Sequence, residues 1–407
     1  MVPPLSGYPA HIEYCPVAFD QGDHAGTTET PAGVKVTAPV GVRDYADPFA
    51  PEPVRQTFAY ASWTSPQVEP GFVFGELVPT WHARTPGATW VEVEARARAA
   101  GTPRWSSWLV LARWADHDAT VRPSSVPRAR SDSHDLASVD TDTLLVPGGA
   151  DAWQLRITLL RAQDASAPGP VLTYVGAMAS SRTASPARTP GATACPLPPS
   201  EIGPAAGHVL DVPALSQRIH AGRHPEWGGG DVWCSPTSLA MILASWGTGP
   251  DSDALAWVNP SYPDRSVYHA VRHCWDHAYD GAGNWSFNTA YAARFGLASF
   301  VTRLRDLTEA EAFIAAGIPL VASVRIDPAA LAGADYASAG HLVVVSGFTT
   351  GGDVVVNDPA AWDPAKVRRV YRRGEFEHAW QHGSGGIVYV IHPPAVGLPR
   401  RPAEPNW

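Results

Sequence analysis

The chain has 407 residues, 45% of them apolar, and a formal net charge of −9. That length suffices for two domains with substantial cores. The acidic balance argues against nucleic acid or an anionic membrane surface as the main partner, and no run approaches the roughly 18 apolar residues of a membrane span.

Residues 1–55 are rich in Pro and Gly and carry few periodic segments, so they read as an extended arm packed on the first domain. The first twenty residues show neither a basic segment nor an apolar run, so no signal peptide is expected. The compartment stays open between a cytoplasmic chain and one whose true start lies upstream. From residue 56 to 180 the signals are short strands. Trp90–Arg96 and Trp153–Leu159 alternate apolar and polar side chains, and Ser107–Leu111 and Val171–Val175 are shorter apolar runs. Short strands separated by turns predict an antiparallel β-sandwich. Trp63, Trp81, Trp90, Trp105, Trp108, Trp114 and Trp153 all fall there. Most should fill the core, and an exposed pair on one face would suit stacking against a sugar ring or an extended peptide. Asp140-Thr141-Asp142 is a fragment of a calcium loop without its other ligands, and is better read as a tight turn. Residues 181–207, rich in Ser, Thr, Pro and Ala, read as a linker.

Beyond the linker, residues 208–392 mix helix and strand signals and predict an α+β domain, with 393–407 a Pro-rich tail. Val232-Trp233-Cys234-Ser235-Pro236 puts a cysteine where a helix should begin, because Leu239, Ile242, Leu243 and Trp246 follow at helical spacing. Pro236 suits a first turn and Gly247 supplies a stop. A thiol there faces the positive end of the helix dipole, which favours the thiolate. Gly228-Gly229-Gly230 would let the backbone approach a substrate just before that cysteine. Ser266–Tyr279 is predicted helical, with Val267, Ala270, Val271, Cys274 and Ala278 on one face. His269, His273 and His277 lie off that face on the wheel and should be exposed; a zinc site is disfavoured because no second ligand cluster accompanies them. Thr308-Glu309-Ala310-Glu311 reads as a capping box for a helix ending at Gly317, with a strand over Leu320–Ile326.

Gly340–Phe348 and Asp353–Pro359 read as the arms of a hairpin turning at Thr349–Gly352. Pairing Phe348 with Asp353 sets His341 opposite Ala360 and Asp358 opposite Val343. His341 and Asp358 then become diagonal neighbours on one face, with Asn357 pointing away unless the register slips by one. A histidine held by a carboxylate, near a helix-start cysteine, is a nucleophile–base–orienter set.

The order Gln217, Cys234, His341, Asp358 resembles the papain-like bacterial peptidases of the thirty-ninth cysteine peptidase family, which process bacteriocin leaders. Val212–Gln217 is similar to that family's Gln segment and Asn357-Asp358-Pro359 to its Asp-Pro. Many members have Gly after the cysteine, whereas Ser235 stands here. Trp233–Ser238 resembles an actinobacterial branch of secreted or cell-envelope proteins. The resemblance implies that Cys234 is the nucleophile, His341 the base, Asp358 its orienter and Gln217 an oxyanion donor. It also implies a papain-like peptidase fold behind an N-terminal β domain; the substrate expected is a peptide or protein, and no cofactor or metal is expected. The exporters that carry such peptidases also have transmembrane and nucleotide-binding parts, which this chain lacks. Two other readings stay open: acyl transfer to an amine or related amidase chemistry, and a binding protein that keeps the fold without turnover. Pairing of Cys15 with Cys195 is also open, since an odd remainder of cysteines cannot pair fully.

Overall fold

The computed structural model describes residues 10–126, 136–165, 168–181 and 198–407. These fall into two compact units, one of Glu13–Arg182 with Arg272–Arg294, the other built mainly from Thr183–Val271 and Phe295–Trp407. Cys195, and with it the proposed Cys15 pairing, lies outside the described residues, as does most of the expected linker.

The first unit is an antiparallel sheet of thirteen strands. They are β1 (Ile12–Pro16), β2 (Asp23–Ala25), β3 (Thr27–Thr30), β4 (Gly33–Val36), β5 (Gly41–Tyr45), β6 (Gln56–Thr64), β7 (Phe74–Arg84), β8 (Thr89–Ala99), β9 (Leu109–Trp114), β10 (Ser124–Ser125), β11 (Ser138–Asp140), β12 (Thr143–Ala162) and β13 (Val171–Ser180). The 20-residue β12 makes the sheet into a sandwich. Its first part pairs with β7 and β11 and its second with β6 and β8, with register breaks around Ala150. A bulged strand that changes neighbours in this way carries the chain from one layer to the other. Trp63, Val93, Leu155 and Ile157 from one layer and Leu77, Trp81, Val175 and Ala177 from the other share one buried cluster.

The arm expected over residues 1–55 is strand-rich where it is described. Its strands are only three to five residues long, too short to show alternation, and they pair with β6 and β13 or with each other. Trp63, Trp81, Trp90, Trp114 and Trp153 are buried, whereas Trp105 and Trp108 are half-buried on the outer face. There Trp108 lies on the guanidinium groups of Arg96 and Arg156, at 4.5 and 4.4 Å. Asp140-Thr141-Asp142 is the turn of the β11–β12 hairpin, with Thr141 at φ +54°.

The second unit holds a six-stranded antiparallel sheet of β14 (Ala298–Arg303), β15 (Leu320–Ile326), β16 (Ser338–Phe348), β17 (Val354–Asn357), β18 (Arg368–Tyr371) and β19 (Ile387–His392), in the order β14-β19-β15-β16-β17-β18. Helices α1 (Cys234–Ser245), α2 (Arg265–Cys274), α3 (Trp285–Ala293), α4 (Leu307–Ala315) and α5 (Arg373–Ser384) complete the chain, and α1, α4 and α5 pack against this sheet. β14 begins half-buried and is buried from Ser299 on, and β19 is buried throughout, because the helices cover the sheet. The C-terminal tail is docked: Asn406 donates to the Arg303 carbonyl, and Trp407 packs edge-on to Phe313.

Three sequence expectations shift. Helix α2 stops at Cys274 instead of Tyr279, because the Asp276 carboxylate accepts the N–H groups of Ala278 and Tyr279 in a turn that outcompetes another helical turn. His269 is buried, not exposed, and His277 lies beyond the helix. The capping box of α4 sits two residues earlier. Asp306 caps Glu309, whose carboxylate reaches back to the N–H of Arg305, whereas Glu311 is buried in an ion pair with Arg373 at 2.6 Å.

Residues 272–294 were assigned by sequence to the second domain, but they cluster with the sandwich. Phe287 and Ala290 of α3 enter the sandwich core, and the Phe287 ring meets Trp81 edge-on at 6.1 Å. The Asp276 carboxylate accepts the N–H of Ser125 at 2.8 Å, and that of Asp142 accepts the N–H of Trp285 at 2.6 Å. A chain truncated to start at residue 208 should therefore expose Phe287 and Ala290. It should bind a hydrophobic dye and lose cooperative melting, whereas the full chain should not.

Burial raises Asp142 to about 7, against the opposing hydrogen bonds from Trp285 and Thr143. A folded pKa above the unfolded value of about 3.9 means that the folded state binds the extra proton. The sandwich should therefore lose stability as pH rises from about 4 to about 7, by up to roughly 4 kcal/mol for a shift of that size. Asp142→Asn should flatten that slope in melting curves taken across this range.

Candidate active site

Cys234 opens α1 as expected, with buried Trp233 at the cap. Trp233 is held by its indole N–H on the Trp227 carbonyl and by edge contacts to Tyr268. The preceding loop is tight. Gly228, Gly229 and Gly230 take φ of +76°, +61° and +92°, and a Cβ on Gly230 would lie 2.9 Å from the His220 backbone. Only glycine meets both demands there. Pro236 sits in the first turn, where no helical hydrogen bond is lost. The hydroxyl that Ser235 brings in place of glycine shares a hydrogen bond with Tyr389 at 2.9 Å. Ser238 donates to the Leu342 carbonyl and joins α1 to the strand that carries His341.

His341 is buried on β16, and Asp358 is fully buried just after β17. The expected register holds where it matters. Val344 faces Asn357 and Val345 faces Val356, the alignment that brings Asp358 onto the histidine's face. Toward the turn it is off by one, with Phe348 opposite Val354, and a bulge at Ser346 absorbs the difference. His341 Nε2 and Asp358 Oδ1 are 2.9 Å apart. Asn357 points the other way and donates to the Val212 and Pro213 carbonyls.

Cys234 is partly exposed and hydrogen-bonds His341. With Nε2 on Asp358, the imidazole nitrogen left for sulfur is Nδ1. Burial opposes ionisation of the thiol. The His341 charge and hydrogen bond, with the N–H groups of Leu342 and Ser235, outweigh it and carry the thiol below its ordinary range. Burial also lowers His341, but Cys234 and Asp358 more than reverse this and raise it to about 9. The pair is therefore poised as thiolate and imidazolium.

Gln217 lies against the Asp-Pro segment, its N–H on the Pro359 carbonyl at 2.9 Å, and its side-chain amide donates to the Asp231 carbonyl at 2.8 Å. The structure thus ties all four expected residues to one region through the 216–217 and 359–361 segments. Sequence reasoning missed two neighbours. Tyr336 donates to Asp358, and the Arg369 Nε lies 3.6 Å from Asp358 Oδ2. The only signal for Tyr336 was an aromatic residue in an Ala- and Asp-rich loop just before the histidine strand.

Residues 14–180 match the Peptidase C39 N-terminal domain and residues 209–387 the Peptidase C39 like family. The chain belongs to the C39-like peptidase family, in the actinobacterial branch with this N-terminal domain. Its second half has a cysteine-peptidase-like fold. No curated protein matches the C39-like chain. One solved structure, of carbohydrate-binding modules from the β-sandwich superfamily, is 12% identical over 42% of this chain and 59% of its own, at a TM-score of 0.15. The chain thus spans under two thirds of that structure, and a score so low carries nothing about ligand. Among the described residues, no helix is long and apolar enough to cross a membrane.

Alkylation of Cys234 by iodoacetamide should proceed at mildly acidic pH, where an ordinary thiol is protonated. In His341→Ala only the N–H groups of Leu342 and Ser235 would still oppose burial, so the rate should fall steeply below pH 8, read by mass spectrometry against time.

Proposed function

We propose that the C39-like chain is a thiol hydrolase that cleaves a peptide or related amide bond. The observation that carries this reading is the partly exposed helix-start thiol, lowered by an imidazole that is itself held by a buried carboxylate. His341 takes the Cys234 proton through Nδ1, and the thiolate attacks the substrate carbonyl carbon. The oxyanion that forms accepts from the Cys234 backbone N–H and from Gln217. The Gln217 amide nitrogen carries two hydrogens, and Asp231 takes one of them. Such a donor is worth about 2.7–4 kcal/mol where it has been removed from a hydrolase. The imidazolium returns its proton to the leaving amine, and water, deprotonated by His341, releases the acyl group. Asp358 keeps Nε2 protonated and Nδ1 turned to sulfur.

The sandwich offers no such set among its described residues, so recognition of the substrate is the part we assign to it. Ordered domains over 56–180 and 208–392 remain the working division, with 272–294 lent to the first.

Digestion of a peptide library tests the reading. Cys234→Ala and His341→Ala should abolish cleavage, and Gln217→Ala should lower turnover while leaving the alkylation rate of the thiol unchanged. Turnover should fall above about pH 9 as His341 loses its proton. Asp358→Asn should leave slow turnover with that alkaline limb moved to lower pH, because the carboxylate is among the groups that raise His341. Transfer of the acyl group to an added amine in preference to water would assign an acyltransferase instead. Full hydrolysis by Cys234→Ala would end the cysteine mechanism.

A further inference from the structure

Near the end of the loop between β15 and β16 stands Tyr336, whose hydroxyl lies 3.0 and 2.9 Å from the two oxygens of Asp358. Its ring meets His341 edge-on at 5.3 Å. The loop is fastened from outside. Arg369 of β18 donates to the Gly333 carbonyl at 3.1 Å and to Asp335 at 2.8 Å, and Glu375 of α5 accepts the N–H of Ala332 at 2.8 Å. We propose that Tyr336 is a positioning residue for the Cys234–His341 pair, delivered to Asp358 by a loop that Arg369 pins through Asp335. This inference rests on the thiol-hydrolase reading and deepens it.

The physical case is one of rotation. Asp358 follows the last paired residue of β17, so the ladder does not hold its carboxylate. Two neutral donors do: the Ala360 N–H on Oδ1 at 2.9 Å, and the Tyr336 hydroxyl shared between both oxygens. Oδ1 is thereby turned to His341 Nε2, and a carboxylate bound in this plane cannot swing without losing a charge-assisted hydrogen bond. The charged and titratable groups around Asp358 are His341, Cys234, Tyr336, Asp335, Arg369 and Tyr371. Of these, Tyr336 is pushed far above the ordinary tyrosine value, by burial first and then by the Asp358 charge, so it remains a donor throughout the working range.

Tyr336→Phe keeps the ring and removes only the hydroxyl. Loss of the donor should let the carboxylate turn off the imidazole, so that the imidazolium is held less well and thiolate formation needs higher pH. Iodoacetamide labelling of Cys234 in the full chain should slow roughly tenfold at pH 6, as expected for one hydrogen bond to a charged group. At pH 10, where any thiol ionises, the rate should match wild type, a contrast that general loosening would not give. Asp335→Asn, at a side chain that is 71% exposed, should shift the profile less but in the same direction by releasing Arg369. If Tyr336→Phe fails to fold, that second variant decides. Should both variants keep the wild-type pH profile within twofold, the positioning role is overturned while the hydrolase reading stands. Should wild-type Cys234 itself label only as an ordinary thiol does, the hydrolase reading falls first.

Discussion

One extra residue in a strand governs whether the histidine and the carboxylate meet. From Phe348 to Gly347 the hairpin runs one step out of the register that brings Asp358 onto the face of His341. Without a correction every side chain beyond would change sides, and Asn357 would stand where Asp358 does. The bulge at Ser346 supplies that correction, and its carbonyl is not orphaned, because the N–H of Leu210 donates to it at 2.8 Å. Gly347 beside it has no side chain, and a Cβ there would sit 2.4 Å from the His208 carbonyl. The bulge thus does two things at once. It aligns the acid with the base, and it admits residues 208–210, which lead directly into the Gln217 segment.

Burial then sharpens the chemistry instead of suppressing it. Taken alone, desolvation would keep Cys234 as a thiol and His341 neutral. Placed together, each offers the other an opposite charge in a low-dielectric setting, where such attraction is strong. Asp358 extends the chain of charge, and its own burial is offset by His341, Ala360 and Tyr336. A pair of this kind holds only while every member is hydrogen-bonded, since one uncompensated charge at such depth is costly. That is why the contacts of Tyr336 and Ala360 matter as much as the two residues they serve.

Much of this was legible in the chain itself. Helical spacing after Cys234 located α1, because apolar periodicity and a glycine stop agree there. Hairpin alternation put His341 and Asp358 on one face, and the assumed register was correct beyond the bulge, although nothing in Val345-Ser346-Gly347 announced the bulge itself. Local signals failed where tertiary contacts chose among near-equal options. Thr308 and Asp306 both begin a capping pattern, and only the burial of Glu311 against Arg373 favours the second. The strands before residue 45 were invisible because segments of three to five residues give no period to read. Tyr336 was invisible for a different reason, since a loop residue's partner depends on where the loop lands.

The segment 272–294 shows how far such long-range choice can reach. Sequence position assigns α3 to the second half of the chain, and a helix buried from Ser286 to Ala292 shows no polar face to say otherwise. What decides its place is a set of polar anchors. Asp276 accepts from Ala278, Tyr279 and Asn284 of its own segment and from Ser125 of the sandwich, so one carboxylate ties the local turn to the sheet. Asn284 in turn caps α3 through the N–H of Phe287, and Ser286 donates to the Pro79 carbonyl. With these bonds made, Phe287 and Ala290 have only the sandwich core in which to bury. The chain passes between its two compact units after residue 12, around residue 182, after 271 and again after 294. A single cut near residue 182 would leave three covalent crossings intact, and the sandwich would still lack its own core residues if the second half were removed. The peptidase-like half and the β half are therefore one folding problem, in which the sandwich is completed by a piece of the sequence that lies beyond the nucleophile.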